Sequence, residues 1–375
     1  MRVLMVSKAC LVGTYQTKLT AIARQQGVEL AVIVPPSWRD PAGEIVLERA
    51  HTAGYQLWVE PMRFNGQFHF HYYPTLGRRL RQFRPHILHM DEEPYNLATW
   101  LAFRQAAQVG AKKLFFTWQN ICRTYPLPFR WLEAQVLRQA DYALMGNQAA
   151  VDVFHHKGYT GPHKVIPQFG VAADLFTPPP QRHAAQRLII GAAGRFVPEK
   201  GWDVLLAAVA LLQGEWVLQM AGAGPERPRL EAMAQQLGIA QRVQWVGAHR
   251  SAEMPAFLQG LDVLVLPSRT MPNWKEQFGR ILIEAMACET AVIGSDSGEI
   301  PHVIGTAGLT FPEDNAPALA HQLQLLLQNP AQRQTLGRAG RQRVLTHYTQ
   351  EQIAQQTVAV YEEMMNAECG TRIAE

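Results

Sequence analysis

The chain has 375 residues, 47% hydrophobic and 18% charged, a globular composition that suits two cores of about 150 to 200 residues each better than one. No run of eighteen apolar residues occurs and Met1–Val6 leads directly into a strand-like segment, so neither a spanning helix nor a signal peptide is expected, and the chain is expected in the cytoplasm. Cys10, Cys122, Cys288 and Cys369 form no Cys-x-x-Cys pair, which excludes a zinc knuckle or a disulfide framework and leaves free thiols.

The net charge of +4 is unevenly spread: residues 1–165 carry 19 Lys/Arg against 11 Asp/Glu, or +8, while the remainder carries 16 against 20, or −4. Arg78-Arg79-Leu80-Arg81-Gln82-Phe83-Arg84 concentrates the positive charge. That stretch reads either as a solvated helix face or as a surface for peripheral contact with an anionic membrane, at the inner face, or with an anionic substrate. No feature calls for nucleic acid.

In chain order, Arg2–Ser7 reads as a buried strand, a turn through Thr14 follows, then a helix to about Gln26 and a strand over Val28–Val34. This is the opening of a βαβ sheet, whose ligands sit beyond the carboxyl ends of the strands. The first turn has no Gly-x-Gly-x-x-Gly and no P-loop, and Gly13 marks a place of close approach to the backbone. A helix over Thr75–Phe83 leads to the strand His86–Met90, which ends in the acidic run Asp91-Glu92-Glu93-Pro94. That run is either a pocket wall or the acid-rich start of the helix Tyr95–Gln108. His69, His71, His86 and His89 match no metal-ligand spacing. Strands follow at Lys112–Trp118, running into Gln119-Asn120, at Tyr142–Met145 and at Lys164–Pro167. Gln168–Gln181, with three consecutive prolines, reads as a linker.

A second βα series begins with the strand Leu188–Gly191. Helices over Trp202–Leu212, Pro228–Leu237 and Met254–Leu258 alternate with strands over Trp216–Ala221, Val243–Val246, Asp262–Leu266 and Ala291–Gly294. The tail is helical over Pro317–Gln328, Ala331–Thr346 and Gln350–Asn366. The alternation predicts two doubly wound parallel α/β sheets, and a cleft between two such domains is a natural ligand site.

Within the second series, Glu276 and Glu284 stand eight positions apart around Phe278-Gly279, the second in an Ala/Met/Leu-rich run that starts a helix. The first N–H groups of that helix, from about Arg280 to Leu282, suit a phosphate. Two carboxylates would repel the phosphate itself. They suit the neutral hydroxyls on either side of a diphosphate, as in a sugar nucleotide. The plain alternative is an amphipathic helix with Glu284 facing solvent. Upstream, Gly194-Arg195…Lys200-Gly201 follows the first strand and brings two cations to a loop on which a ligand can close.

Gly194-Arg195-x4-Lys200-Gly201, Ala221-Gly222-Ala223-Gly224-Pro225, Val246-Gly247, Pro267-Ser268, Glu276-x7-Glu284 and Ser297-Gly298-Glu299-Ile300-Pro301 together resemble the retaining glycosyltransferases of family four, which have the GT-B fold. The resemblance implies an acceptor-binding domain over 1–170, joined by the helix 350–366, and a nucleotide-sugar-binding domain over 171–349. It implies that Arg195 and Lys200 bind the diphosphate, that Glu276 holds the transferred sugar, and that Gly194 and the backbone of Phe278, Gly279, Arg280, Ile281 and Leu282 complete the contacts. Glu284 would take the ribose hydroxyls, and the base would lie near Gly247 and His249.

The implied donor is a nucleoside-diphosphate sugar, UDP favoured. The acceptor is a glycan, a lipid or a small molecule, with Gly13, Asp91 and Gln119 on its side and no metal or cofactor. Many relatives carry a histidine where Gln119 stands, a departure that bears on the donor sugar. A nucleotide-sugar epimerase of GT-B fold and a non-catalytic sugar-nucleotide-binding protein are the alternatives.

Overall fold

The computed structural model describes residues 1–40, 43–181, 187–250 and 253–366. They form two compact units, Met1–Gly170 with the helix that begins at Gln350, and Val171–Thr349.

The first unit opens with β1 (Arg2–Val6), α1 (Gln16–Ala23) and β2 (Glu29–Val34), followed by β3 (Ser37–Asp40), β4 (Gly43–Val46) and β5 (Gln56–Val59). After these come α2 (Leu76–Phe83), β6 (Ile87–Met90), α3 (Leu97–Ala107) and β7 (Lys112–Thr117), and then α4 (Phe129–Gln139), β8 (Tyr142–Met145), α5 (Gln148–His156) and β9 (His163–Val165). Seven strands pair in the order β5-β2-β1-β6-β7-β8-β9, all parallel. Val3, Met5 and Val32 face one buried layer and Leu4, Val6 and Ile33 the other, the two-sided burial that a parallel sheet between helices requires.

The second unit runs β10 (Leu188–Ala193), α6 (Trp202–Val209), β11 (Trp216–Ala221), α7 (Arg227–Gln236), β12 (Val243–Gly247), α8 (Met254–Gln259) and β13 (Val263–Leu266). It continues with α9 (Arg280–Ala287), β14 (Ala291–Ser295), α10 (Ile300–Ile304), β15 (Leu309–Phe311), α11 (Ala316–Gln328) and α12 (Pro330–His347). Its six strands order as β12-β11-β10-β13-β14-β15, again parallel. The chain then returns to the first unit as α13 (Gln350–Asn366), which packs on α1 and buries Tyr361, whose hydroxyl meets His89 Nδ1 at 2.6 Å.

Strand order reverses at β1/β6 in one sheet and at β10/β13 in the other, and doubly wound sheets bind ligands just beyond such points. Among the described residues no helix is long and apolar enough to cross a membrane.

Several sequence expectations need amendment. Residues 37–59, passed over, hold the antiparallel β3–β4 hairpin and the edge strand β5. Three helices, α4, α5 and the short α10, and the strand β15 go beyond the sequence reading. Phe129, Leu132, Val136 and Leu137 give α4 its buried face, and the Asn147 side chain caps α5 by accepting from the Ala150 N–H at 2.8 Å. Gln168–Gln181 is no free linker: Val171 bridges Thr349 and Phe176 is buried, so residues 171–181 belong to the second unit, which runs Val171–Thr349. In the basic stretch, Arg79 is taken inside by Glu60 at 2.5 Å and by the Trp58 ring at 4.7 Å, while Arg78, Arg81 and Arg84 stay exposed.

The four histidines do not converge on one site: His69 lies against the Phe129 ring, centroids 4.7 Å apart, with its Nδ1 buried and without a hydrogen-bond partner. His71 bonds Glu92 and Phe68, His86 accepts from the Arg2 N–H, and burial pushes His89 down to about 3. Among the described residues Cys10, Cys122 and Cys288 form no disulfide, and Cys369 lies outside them.

Candidate functional site

In the second unit the loop after β13 carries Pro267-Ser268 on to Glu276, and Gly279, left-handed at φ 78°, starts α9. Glu276 is 7% exposed, and its Oε2 accepts from Lys200 Nζ at 2.6 Å and from the Ser268 hydroxyl at 2.9 Å. Lys200 also lies over the Trp274 ring at 5.0 Å. A cation after β10 and a carboxylate before α9, 76 residues apart, therefore form one ion pair.

Two glycines make this approach possible. At Gly201 (φ +66°) a Cβ would stand 2.0 Å from the Pro267 carbonyl oxygen, and at Gly298 (φ +58°) one would stand 2.0 Å from the Glu276 carbonyl oxygen. The Glu299 N–H donates to that same Glu276 carbonyl at 3.2 Å, so the Ser297-Gly298-Glu299 turn braces the Glu276 loop from behind.

The same unit holds a cavity of about 400 Å³ walled by Gly194, Arg195, Ala248, His249, Met254 and Ile281, among others. Arg195 is exposed at its edge, and its backbone carbonyl is fixed by the Trp202 indole N–H at 2.8 Å. Gly247, with φ 76°, turns the chain from β12 into this wall. His249 Nε2 is buried there without a hydrogen-bond partner.

Glu284 does not face solvent. It is 6% exposed and tied to Arg280 at 2.7 Å; burial raises its pKa, and the Arg280 guanidinium opposes that rise. Of the N–H groups expected to await an anion, that of Leu282 turns back to the Gly279 carbonyl at 2.8 Å. Phe278 is 8% exposed and packs edge-on to Tyr348, with ring centroids 5.8 Å apart.

The first unit holds a cavity of about 370 Å³ beyond β1 and β6, with Lys8, Trp38, Asp91, Glu93 and Trp118 among its walls. Of the three acceptor-side candidates only Asp91 lines it. The close neighbour of Gly13 is the chain's own Glu48, which takes the Gly13 N–H at 2.7 Å and would meet a Cβ there at 2.7 Å. The Gln119 amide donates to the Tyr125 hydroxyl at 2.6 Å and accepts from Lys157 Nζ at 2.6 Å, so it is spent on the β7–α5 side of the fold.

Glu92 and Glu93 are neighbours with opposite environments. Burial would raise Glu92, but the ammonium of Lys8 and the ring of His71 overcome it and hold it well below the carboxylate range. Burial prevails at Glu93 and pushes it up to about 7, against hydrogen bonds from the Thr117 hydroxyl and the Trp118 N–H. Sequence reasoning had the acidic run but not the aromatic walls at Trp38 and Phe68, which lie where it assigns no element.

Two families match in succession: residues 12–168 match the Glycosyl transferase 4-like domain and residues 176–343 match Glycosyl transferases group 1. A D-inositol 3-phosphate glycosyltransferase of Jonesia denitrificans is 31% identical over 254 residues, covering 61% of this chain and 58% of its own. The GDP-mannose-dependent alpha-(1-6)-phosphatidylinositol monomannoside mannosyltransferase of Mycolicibacterium smegmatis is 28% identical over 268 residues, 65% and 68% of the two chains. Among solved structures, a Rickettsia africae glycosyltransferase superposes with a TM-score of 0.76 at 16% identity over 97% of this chain and 98% of its own. Anabaena HepE in complex with UDP and glucose gives 0.71 at 18% over 97% and 100%. At such identity the likeness is one of fold.

Proposed function

This chain belongs to the family-four glycosyltransferases of GT-B fold, and from that premise we propose that it is a retaining transferase that moves a sugar from a nucleoside diphosphate, UDP favoured, to a hydroxyl of a glycan, lipid or small-molecule acceptor. The observation that carries the reading is the Lys200–Glu276–Ser268 cluster before α9, in the same unit as the cavity that Arg195 and Ile281 help to wall.

In the proposed reaction the diphosphate lies against Arg195, Lys200 and the start of α9. As the bond from the sugar to the β-phosphate breaks, negative charge grows on that phosphate, and cations already fixed there stabilise it without reorganising. Glu276 keeps Lys200 oriented and accepts hydroxyls of the sugar. Glu284, with one oxygen on Arg280, accepts a ribose hydroxyl with the other. The base rests on Ala248 and Met254, where His249 Nε2 can bond it. The two cations and the helix end do the work that a metal performs elsewhere, so no metal is required. The acceptor hydroxyl enters on the leaving-group face and passes its proton to the departing phosphate.

Relatives leave the base open, since one is named for GDP-mannose and one fold neighbour was solved with UDP. Thermal denaturation of the full chain with UDP-, GDP- and ADP-sugars tests the donor. A ligand at a hundred times its Kd adds about 2.7 kcal/mol to stability, and the UDP-sugars are expected to give that shift. Stabilisation by GDP- or ADP-sugars alone would refute UDP; stabilisation by none would refute the transferase.

A further inference from the structure

The cavity of the first unit has a definite charge and shape. The one lining cation among the described residues, Lys8, is bonded to Glu92 and lies 4.7 Å over the Phe68 ring and 5.4 Å over Trp38. Glu92 is further held by His71 Nε2 at 2.9 Å and by the Tyr73 hydroxyl at 3.1 Å. The next cation, Lys18, is buried 3.7 Å from Asp91 Oδ1. Asp91 is 3% exposed; its Oδ2 accepts from Ser7 at 2.6 Å, and its Oδ1 has no hydrogen-bond partner.

Three carboxyl groups thus stand around this space against two ammonium groups, each already beside a carboxylate, and no arginine lines it. A phosphate placed here would meet acceptors, without the forked donors or helix end that bind such groups. A neutral hydroxyl meets a lining carboxylate, Asp91, whose buried Oδ1, 3.7 Å from Lys18 Nζ and 4.0 Å from His89 Nε2, has no hydrogen bond of its own. Tyr15, Trp38, Phe68 and Trp118 give the walls an aromatic surface of the kind that packs against the C–H side of a ring polyol. At about 370 Å³ the space is at the small end of ligand pockets, suited to one ring and not a chain.

We propose that this cavity takes an uncharged ring polyol, a sugar or cyclitol bearing no phosphate on the ring it holds, with Asp91 accepting a hydroxyl and Trp38 and Phe68 covering the ring. That this ring is the acceptor rests on the transferase reading; that it binds here does not.

Saturation-transfer NMR on the full chain tests it, with methyl α-mannopyranoside, methyl β-glucopyranoside and myo-inositol, each beside its ring monophosphate. At least one uncharged member is expected to bind ten or more times tighter than its phosphate. Asp91→Asn is expected to weaken it at least fivefold and Phe68→Ala, at a partly exposed wall, at least threefold, both with unchanged affinity for the nucleotide sugar. Equal or tighter binding of the phosphates, no binding of any uncharged member, or unchanged binding in Phe68→Ala overturns the proposal. Should Asp91→Asn unfold, seen by circular dichroism, Phe68→Ala alone decides. If no nucleotide sugar binds the wild type, the transferase reading fails while the ring-binding result stands.

Discussion

Lys200→Ala separates the two duties assigned to that lysine, holding Glu276 and meeting the leaving phosphate. Its loss leaves the Glu276 carboxylate, whose side chain is 10% exposed, with Ser268 at 2.9 Å on the oxygen that the ammonium had held at 2.6 Å. Breaking a fully buried pair costs about 3–5 kcal/mol. With the lysine side chain 18% exposed, water replaces part of the lost interaction, and about 1–3 kcal/mol is the expected destabilisation. For a unit of this size each kcal/mol lowers Tm by roughly 2–4 °C.

The catalytic loss is the larger one. One fixed donor removed from developing charge costs about 2.7–4 kcal/mol, roughly a hundred- to a thousandfold in kcat. Steady-state donor consumption gives kcat and KM, and differential scanning fluorimetry gives Tm. The expected pattern is a kcat fall far greater than any KM rise, a Tm loss of several degrees, and partial rescue by Lys200→Arg. A folded Lys200→Ala protein with kcat within about threefold of wild type would refute the assignment.

Gly298→Ala should act at a distance from the ligand: left-handed strain alone costs about 1–3 kcal/mol, and the added Cβ would push on the Glu276 carbonyl 2.0 Å away. Both Tm and kcat should fall, whereas Gly238→Ala, left-handed but with nothing within 4 Å, should lower Tm only. The Glu93 carboxyl, raised from 4.5 to about 7, keeps its proton in the folded chain after the unfolded chain has released it. Its contribution therefore makes stability fall as pH rises from about 4.5 to about 7, by roughly 3 kcal/mol. Glu92, held low, contributes stability that is present above about 4.5 and lost on acidification below it. Urea midpoints at pH 5 and 7.5 should differ less for Glu93→Gln relative to wild type in the direction that removes the Glu93 slope; an unchanged difference refutes the raised pKa. Treatment with a chelator should leave transfer within experimental error, and a large loss restored by added metal would overturn the metal-free mechanism.

Elements with strong local signals were readable directly. Buried runs such as Val3–Val6 and Val263–Leu266, and the glycine-marked loops of the second half, announce two parallel sheets because a strand covered on both faces must be apolar throughout. The missed helices α4 and α5 carried their signals too, an apolar stripe and an Asn cap, but stood among segments read only for strands. The β3–β4 hairpin lies outside the main sheet and has no such uniform burial to betray it.

Spacing and helix chemistry are local properties, so the residue types that flank Glu276 were legible from the chain alone. Only the tertiary structure decided what each group does with its neighbours: Lys200 paired with Glu276, Glu284 turned inward to Arg280, Gly13 spent on Glu48, and Gln119 spent on Tyr125 and Lys157. Those partners are 76, 4, 35, 6 and 38 positions away. Most of them meet only because crossover connections return separate loops to the same sheet end, a juxtaposition that no local propensity encodes.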